Sequence, residues 1–276
     1  MGTQTTVDRV RVVTWNLWWR FGDWEPRQHA IATTLAEFDA DIVCLQEVWG
    51  EENGDDQVAT LGEALGMDGV RTDERFFRGV SFGNAILSRH GVERVADIGL
   101  PPDDGPGHRR ALVARVTAPH AVVPVVCTHL EYRFDKSAIR QEQVARLMQI
   151  VADHRGDESD HPVVLAGDLN AVPTSDEVRM ITGESPPPVD GLVMTDAWTA
   201  RGEGAGVTWD EQNPNVGPTA WPQRRLDYVF VGWPRPKPLG NPIAAQLGGL
   251  SAVNGVVPSD HYAVVVDLHE GPPADA

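Results

Sequence analysis

The sequence predicts an α/β fold in which β-sheets pack face to face and helices cover them. Three observations carry this prediction. Short apolar runs with little polar alternation are typical of strands that are buried on both faces. Other segments place apolar residues at helical spacing, as expected when one side of a helix packs on a sheet. Segments rich in Pro and Gly separate the two kinds of run and indicate loops.

The individual elements follow from these patterns. Strands are predicted at residues 10–14, 41–46 and 124–128. In these runs apolar and polar residues alternate too little for a strand with one solvent-exposed face. Two outer helices are expected from apolar residues at helical spacing: Ile31, Thr34, Leu35 and Phe38, then Val144, Leu147, Met148 and Val151. Four Pro- and Gly-rich segments are expected to be loops within one domain: 101–107, 185–191, 202–206 and 233–242.

Length and composition agree with a single unit. A chain of 276 residues with 41% hydrophobic content is long enough to bury a sizeable core. We expect one domain over residues 9–268, with mobile termini at 1–8 and 269–276. Cys44 and Cys127 both lie inside apolar runs, so they are expected to be buried small hydrophobes without a disulfide.

The chain carries no signal for a membrane or for export. No apolar run reaches the roughly 18 residues that a membrane span requires, and residues 1–8 lack the apolar stretch of a secretory signal. We therefore expect a cytoplasmic monomer without stable membrane insertion. No partner protein is indicated.

The net charge of the chain helps to predict which substrates it binds. The formal net charge of −17 disfavours a protein that grips long stretches of duplex DNA, because such proteins usually present a basic face. A local basic patch stays open as an alternative, formed by Arg109, Arg110, Arg133, Lys136 and Arg140.

Two strand ends carry a carboxylate beside a second polar group. Gly167-Asp168-Leu169-Asn170 closes the apolar run 163–166, and Ser259-Asp260-His261 opens the run 263–266. Carboxylates and a histidine that emerge where strands end are typical of a metal-assisted hydrolase. The alternative for residues 167–170 is a capped turn, since Asp and Asn favour turns for backbone reasons alone.

Five further motifs accompany these two, in order along the chain: Thr14-Trp15-Asn16, Leu45-Gln46-Glu47, the stretch 83–88, Thr128-His129-Leu130 and the stretch 225–230. As an ordered set they resemble the endonuclease/exonuclease/phosphatase superfamily, from about Val10 to Val266. The resemblance implies a four-layer α-β-β-α sandwich of two similarly built halves. It also implies hydrolysis of a phosphoester by activated water, assisted by a divalent metal.

Glu47 and Asp260 are the metal ligands that the resemblance implies. Glu47 offers a carboxylate at a strand end, and Mg²⁺ or Mn²⁺ prefers oxygen ligands with positions left for water and substrate phosphate. His261 is the candidate base, because histidine titrates near neutral pH and a carboxylate fixes its tautomer. Asp227 matches the superfamily aspartate that does this.

The remaining candidates surround the substrate phosphate. Asp168 would accept a proton or orient the water, and Asn170 would donate to a non-bridging oxygen. Superfamily accounts divide the base and orienting duties between these groups differently. His129 would hydrogen-bond the phosphate or help the leaving oxygen. Asn16, Asn84 and one arginine of the pair Arg109 and Arg110, with Arg110 preferred, are expected to contact the phosphate.

Departures from superfamily patterns narrow the range of expected substrates. Trp18 stands where abasic-site exonucleases carry a metal-site aspartate, which disfavours abasic-site repair. Trp18, Trp19, Phe21 and Trp24 are expected either to pack in the core or to form a rim that receives an apolar or planar group. Such a rim would suit a substrate that joins a compact phosphate to such a group.

Two classes of function stay open. The first is a metal-dependent phosphoesterase acting on a small molecule, a phospholipid or, alternatively, DNA or RNA. The second is a catalytically inactive binding module on the same fold, because fold alone does not decide function.

Overall fold

The computed structural model describes residues 8–73, 76–102, 109–157, 160–219, 221–233 and 238–271. Its elements in chain order are β1 (Arg9–Asn16), α1 (Trp24–Phe38), β2 (Ile42–Val48), α2 (Gln57–Leu65), β3 (Asp68–Arg71), β4 (Phe76–Phe77), β5 (Val80–Ser81), β6 (Gly83–Ser88), β7 (Gly91–Gly99), β8 (Arg110–Thr117), β9 (Val122–His129), α3 (Ser137–His154), β10 (Val164–Asp168), α4 (Asp176–Thr182), β11 (Thr195–Asp196), α5 (Ala197–Arg201), β12 (Asp227–Val231), β13 (Pro242–Gly248) and β14 (Ala263–His269).

Two six-stranded sheets form the centre of the protein. The first sheet has the order β13-β14-β1-β2-β6-β3, and the second has the order β11-β12-β10-β9-β8-β7. In each sheet one parallel pair lies in the middle, β1 with β2 and β9 with β10, and antiparallel strands flank it. The carboxyl ends of both parallel pairs carry predicted site residues. β4 and β5 form a separate hairpin.

Three apolar clusters show why the strand sequences alternate so little. One cluster fills the space between the two sheets and includes Val12, Cys44 and Cys127. A second packs α1 and α2 on the outer face of the first sheet, and a third packs α3 and α4 on the outer face of the second. Each central strand is therefore buried on both faces. The predicted four-layer α-β-β-α sandwich is confirmed.

Several local predictions have clear outcomes. The helical patterns correspond to α1 and α3, and both cysteines are buried and free. Residues 185–191 and 202–206 are loops, whereas 103–107 and 234–237 lie outside the described residues. Glu270, which follows β14, is buried, and its carboxylate accepts a hydrogen bond from the His120 amide. Residues 1–7 and 272–276 lie outside the described part of the chain.

None of the helices in the described ranges is long and apolar enough to cross a membrane.

Candidate active site

A cleft of about 710 Å³ opens where the two sheets meet at the ends of their parallel strand pairs. Seven of the ten predicted site residues line this cleft: Asn16, Glu47, His129, Asp168, Asn170, Asp260 and His261. They come from the ends of β1, β2, β9 and β10 and from the residues that precede β14. The strand topology therefore brings together side chains that are distant in the sequence. Asn16 and His261, for example, are 245 positions apart.

Glu47 faces the cleft because β2 has a bulge at its end. Strand alternation would place Glu47 beside Val43 and Leu45, which pack under the helices α1 and α2. Instead, the pairing with β6 shifts register between Gln46 and Val48, and Glu47 adopts a left-handed backbone with φ of 58°. Bulges beside active sites commonly redirect a side chain in this way, at a cost of about 1–3 kcal/mol for the strained residue.

Asp168 lies at the centre of the site's hydrogen bonds. Its Oδ2 accepts a bond from Asn16 Nδ2 at 3.1 Å, and its Oδ1 accepts one from the Asn170 amide at 2.8 Å. The preceding Gly167 is required by space, because a Cβ there would lie 1.9 Å from the Thr128 carbonyl oxygen. Gly167 and Asp168 thus end the central strand β10, and the chain turns directly after it, where Asn170 has a left-handed backbone with φ of 50°.

His261 is held by a buried carboxylate. Its Nδ1 lies 2.8 Å from Asp227 Oδ2, and its Nε2 faces Asp168 Oδ2 at 3.9 Å. Asp227 begins β12 and lies behind His261, outside the cleft lining. Burial alone would lower the pKa of His261, but the carboxylates of Asp227, Asp260 and Asp168 outweigh it and raise the pKa well above the usual value. The pair has the geometry of a proton acceptor with an orienting carboxylate.

The pKa of His129 is shifted in the opposite direction to that of His261. Burial lowers its pKa well below the usual value, and the positive charges of Arg109 and His261 lower it further. Its Nδ1 lies 2.9 Å from Arg109 Nη1, and since a guanidinium only donates, Nδ1 accepts and the proton of the neutral ring is on Nε2. That Nε2 lies 3.5 Å from Asp168 Oδ2. His129 therefore presents a neutral N–H donor to the cleft.

The side chains of the two arginine candidates lie in different surroundings. Arg109 lines the cleft, whereas the guanidinium of Arg110 is turned towards Asp97, to which its Nε donates at 2.6 Å. Asn84 lies behind the same wall, where its Nδ2 donates to the Arg110 carbonyl oxygen at 3.0 Å. Arg110 and Asn84 border only a small recess beside His129. Of the two arginines, the one that precedes β8 faces the cleft, and the first residue of β8 does not.

The basic patch that the sequence left open as an alternative does not form. Arg140 is buried against Glu177, and Arg133 and Lys136 pair with Glu131 and Asp135. With Arg110 tied to Asp97, four of the five cations are neutralised by neighbouring carboxylates. Arg109 and Arg133 remain in the lining of the cleft.

Arg27 holds together the two loops that border Asp260. Its guanidinium is buried and donates to five backbone carbonyl oxygens, those of Leu17, Trp18, Trp19, Phe21 and Pro258. Burial lowers its pKa to about 10, while the negative charges of Asp260 and Glu47 oppose that shift. It therefore stays a cation at neutral pH. Sequence analysis did not identify Arg27, because a charged residue on a helix usually faces solvent.

Side chains also donate hydrogen bonds to further carbonyl oxygens of residues 257–261. Asn215 Nδ2 donates to the Val257 carbonyl oxygen, and Asn213 Nδ2 donates to that of Ser259. Trp15 Nε1 donates to the carbonyl oxygen of His261 at 2.9 Å. The segment that carries Asp260 and His261 is thus fixed from several directions.

Aromatic side chains form both sides of the cleft. The first aromatic wall comes from loops of the first sheet and consists of Trp18, Phe21 and Phe82. The second aromatic wall comes from loops of the second sheet and consists of Tyr132, Phe134 and Trp209. Of the aromatic cluster considered in the sequence, Trp18 and Phe21 line the cleft. Trp19 packs between Phe21 and Phe82, and Trp24 packs against Trp49.

The acidic residues of the cleft suit a divalent cation. Burial raises the pKa of Glu47, Asp168 and Asp260, in the last two to about 6, and the charges of neighbouring carboxylates add to the shift. Glu47 Oε2 is buried without a hydrogen-bond partner. An orphaned carboxylate oxygen in a cluster of like charges is the donor that Mg²⁺ or Mn²⁺ would satisfy. Among the described residues, Asp168, Asp227 and His261 form a group whose ligand atoms lie within 4.8 Å of one another.

Comparison of the sequence with known proteins identifies a family. The sequence profile of the Endonuclease/Exonuclease/phosphatase family matches residues 13–261. Human protein angel homolog 2 is 32% identical over 167 residues, which make up 55% of this chain and 30% of that protein. The uncharacterised protein YbhP of Escherichia coli K12 is 33% identical over 143 residues, or 48% of this chain and 54% of that protein. The matches thus span only part of these relatives.

Solved structures share the fold over most of the chain. Danio rerio TDP2 complexed with single strand DNA product superposes with a TM-score of 0.74 at 20% identity and covers 94% of this chain and 98% of that one. The endonuclease/exonuclease/phosphatase from Beutenbergia cavernae has a TM-score of 0.70 at 26% identity, with 98% and 73% covered. At 20% identity, the likeness to TDP2 establishes the fold alone.

Proposed function

This chain belongs to the endonuclease/exonuclease/phosphatase family, and from that premise we propose that it is an enzyme that hydrolyses a phosphodiester or phosphomonoester with the help of Mg²⁺ or Mn²⁺. One observation carries the proposal: His261, oriented by Asp227 at 2.8 Å, faces the same cleft as the partly buried carboxylates of Glu47 and Asp260. A proton acceptor beside uncompensated carboxylates is what hydrolysis of a phosphoester by water needs.

We assign Glu47 and Asp260 as the residues that hold the cation. In the alternative group of Asp168, Asp227 and His261, a cation would take either His261 Nδ1, which holds the hydrogen bond to Asp227, or Nε2, which the proposed reaction needs as the proton acceptor. When bound, the cation supplies positive charge that stabilises the phosphate and the leaving oxygen and favours the neutral, proton-accepting form of His261.

The remaining residues bind and orient the substrate. His261 Nε2 takes the proton from the attacking water, and Asp168 orients that water because its Oδ2 lies within 3.9 Å of the same nitrogen. Asn16 holds Asp168 in place. On the phosphate, the neutral Nε2–H of His129, the guanidinium of Arg109 and the amide of Asn170 act as donors as charge develops on the oxygens.

An inactive binding module is the alternative class. Loss of a single proton-transfer or ligand residue is enough to disable such a site, yet here Glu47, Asp260 and His261 all line one cleft, and Asp227 holds His261 from behind it. Hydrolysis of bis-p-nitrophenyl phosphate with and without EDTA distinguishes the two classes.

Glu47→Gln is expected to weaken binding of Mn²⁺ and to lower activity at limiting metal, because an amide loses the charge and one strong oxygen donor. The measurements are Mn²⁺ titration followed by electron paramagnetic resonance and the rate as a function of metal concentration. Glu131→Gln is the matched control, since Glu131 lines the same cleft but is paired with Arg133. Wild-type metal affinity in Glu47→Gln would refute the assignment.

Arg109→Lys is expected to lower kcat/KM more than Arg110→Lys does. Lysine keeps the charge but loses the planar fork that reaches His129 and the phosphate. A charge-assisted hydrogen bond is worth about 1.5–3 kcal/mol, so we expect a loss of roughly 10- to 150-fold for Arg109→Lys. At position 110 lysine retains the ion pair with Asp97, and kcat/KM should stay close to wild type. The reverse order would return the phosphate contact to Arg110.

A further inference from the structure

Thr208 lies between the two chain segments that carry Asp227 and His261, and its side chain is fully buried. Its Oγ accepts hydrogen bonds from the backbone amides of Leu226 at 3.0 Å and Asp227 at 3.3 Å. Its carbonyl oxygen accepts one at 2.8 Å from the amide of Tyr262, the residue that follows His261. A single residue therefore joins the backbone at Asp227 to the backbone beside His261.

The segment that contains Thr208 is itself held in place at both ends. The Thr208 amide donates to the Arg224 carbonyl oxygen at 2.9 Å, and the next residue, Trp209, forms an antiparallel bridge with Arg224. Farther along the segment, Asn213 Nδ2 donates to the Ser259 carbonyl oxygen at 2.9 Å. Residues 208–213 thus connect the start of β12 to the residues that precede β14.

The direction of the Asp227 carboxylate depends on its backbone. Its Oδ2 lies 2.8 Å from His261 Nδ1, while its Oδ1 is buried without a hydrogen-bond partner. Among the described residues, His261 therefore makes the only hydrogen bond to this carboxylate. Asp227 is also the first residue of β12. A shift at the start of that strand would move the carboxylate away from the histidine, because no other side chain holds it.

We propose that Thr208 is a positioning residue for the reaction, which keeps Asp227 at hydrogen-bond distance from His261 through the backbone. The inference rests on the proposed function, in which His261 takes the proton from water. Thr208 does not line the cleft, so it acts only through this pair. Without its Oγ, two buried amides lose their acceptor, and the start of β12 must shift to satisfy them. A misplacement of about 1 Å at a reacting group can cost on the order of 10²-fold in rate.

The pair is tested first without turnover, by proton NMR of the metal-free protein. The proton on His261 Nδ1 that faces Asp227 should give a downfield resonance. Thr208→Val keeps the shape of the side chain but removes the acceptor, so it should move this resonance upfield or broaden it beyond detection. Thr208→Ser keeps the Oγ and should retain the resonance. An unchanged resonance in the valine variant overturns the inference, whether or not the protein is a hydrolase.

Turnover of a phosphodiester at saturating Mg²⁺ then tests the effect on the reaction. Thr208→Val should lower kcat by roughly 10- to 100-fold, and Thr208→Ser should recover most of the rate. KM and the affinity for Mn²⁺ should stay at wild-type values, because Glu47 and Asp260 lie in the cleft, which Thr208 does not line. Wild-type kcat in the valine variant, or equal losses in the valine and serine variants, would overturn the inference. If the wild-type protein cleaves no phosphoester, the proposed function fails and the resonance still tests the role of Thr208.

The Asp227→Asn background separates positioning from general damage to the fold. Thr208→Val should add little to the loss of rate in that background, because the contact that it aligns is already gone; a fully multiplicative loss would contradict the proposal.

Thr72→Val is the matched control. Thr72 is also buried, and its Oγ accepts a hydrogen bond from the Asn84 amide at 3.2 Å, away from the pair. This variant should leave the resonance and kcat unchanged.

Circular dichroism shows whether Thr208→Val is folded, and Thr208→Ala replaces it if it is not. Alanine leaves room for a water that can accept the two amides, but a water has no covalent link to the carbonyl that binds Tyr262. The downfield resonance of His261 should therefore weaken in Thr208→Ala as well. A resonance of wild-type position and width in that variant would overturn the inference.

Discussion

His261→Ala is expected to lower kcat by about 10²–10⁴-fold, which is the usual cost of removing a general base. Asp227→Asn should also reduce the rate, because an amide in place of the carboxylate loses the charge that fixes the ring proton on Nδ1 and supports the imidazolium. The hydrogen bond between them at 2.8 Å is buried, so no water replaces the lost partner. Rates are compared at saturating metal with a phosphodiester substrate.

The double variant decides whether the two residues act as one unit. If Asp227 works through His261, its substitution should add little once His261 is gone, and the losses will be far from multiplicative. Circular dichroism of each variant checks that the fold persists. Fully multiplicative losses would mean that Asp227 has a separate role, such as binding a cation with Asp168.

Arg27→Met should cause the largest loss of stability outside the hydrophobic core, with a fall of roughly 3–5 kcal/mol in the free energy of unfolding. Methionine keeps the length and apolar stem of arginine but leaves the carbonyl oxygens of two loops without their donor. For a chain of this size, that corresponds to a decrease in Tm on the order of 10 °C. Thermal unfolding of the metal-free protein measures it.

Two further variants test the reason for that loss. Arg27→Lys should recover only part of the stability, since an ammonium group at one point does not reach carbonyls spread over two loops. Arg20→Met is the control from the same loop, because Arg20 pairs with the exposed Glu51 and lies over Trp24. Its loss should be on the order of 1 kcal/mol. Equal losses at positions 20 and 27 would contradict the role given to Arg27.

The sequence predicted the strand-end residues of the site because their pattern is local. A run that is apolar at every position has both faces covered, so the polar residue that ends it lies at an edge of the sheet. Asn16, His129 and Asp168 follow that rule, and each lies in the cleft. A single apolar run does not tell which strand ends lie close together in space. Membership of the family does, because it implies the arrangement of the strands.

Other features depend on three-dimensional detail that local patterns do not contain. Glu47 reaches the cleft through a bulge, and the sequence Gln46-Glu47-Val48 carries no glycine to mark its left-handed backbone. The choice between Arg109 and Arg110 depends on the register of β8, because a shift of one residue exchanges the two faces of a strand. The second aromatic wall lies on loops, where spacing in the sequence does not indicate direction.

The strand order of the first sheet has a consequence for synthesis on the ribosome. β1, made first, pairs with β14, made last, from Arg9 opposite His269 to Thr14 opposite Val264. Asp260 and His261 directly precede β14. Although domains generally fold as units and N-terminal segments emerge first, this sheet stays open along one edge of β1 until β14 has been made. A nascent chain therefore gains its closed sheet and its complete cleft in the same late step, and a messenger truncated before codon 260 would yield neither.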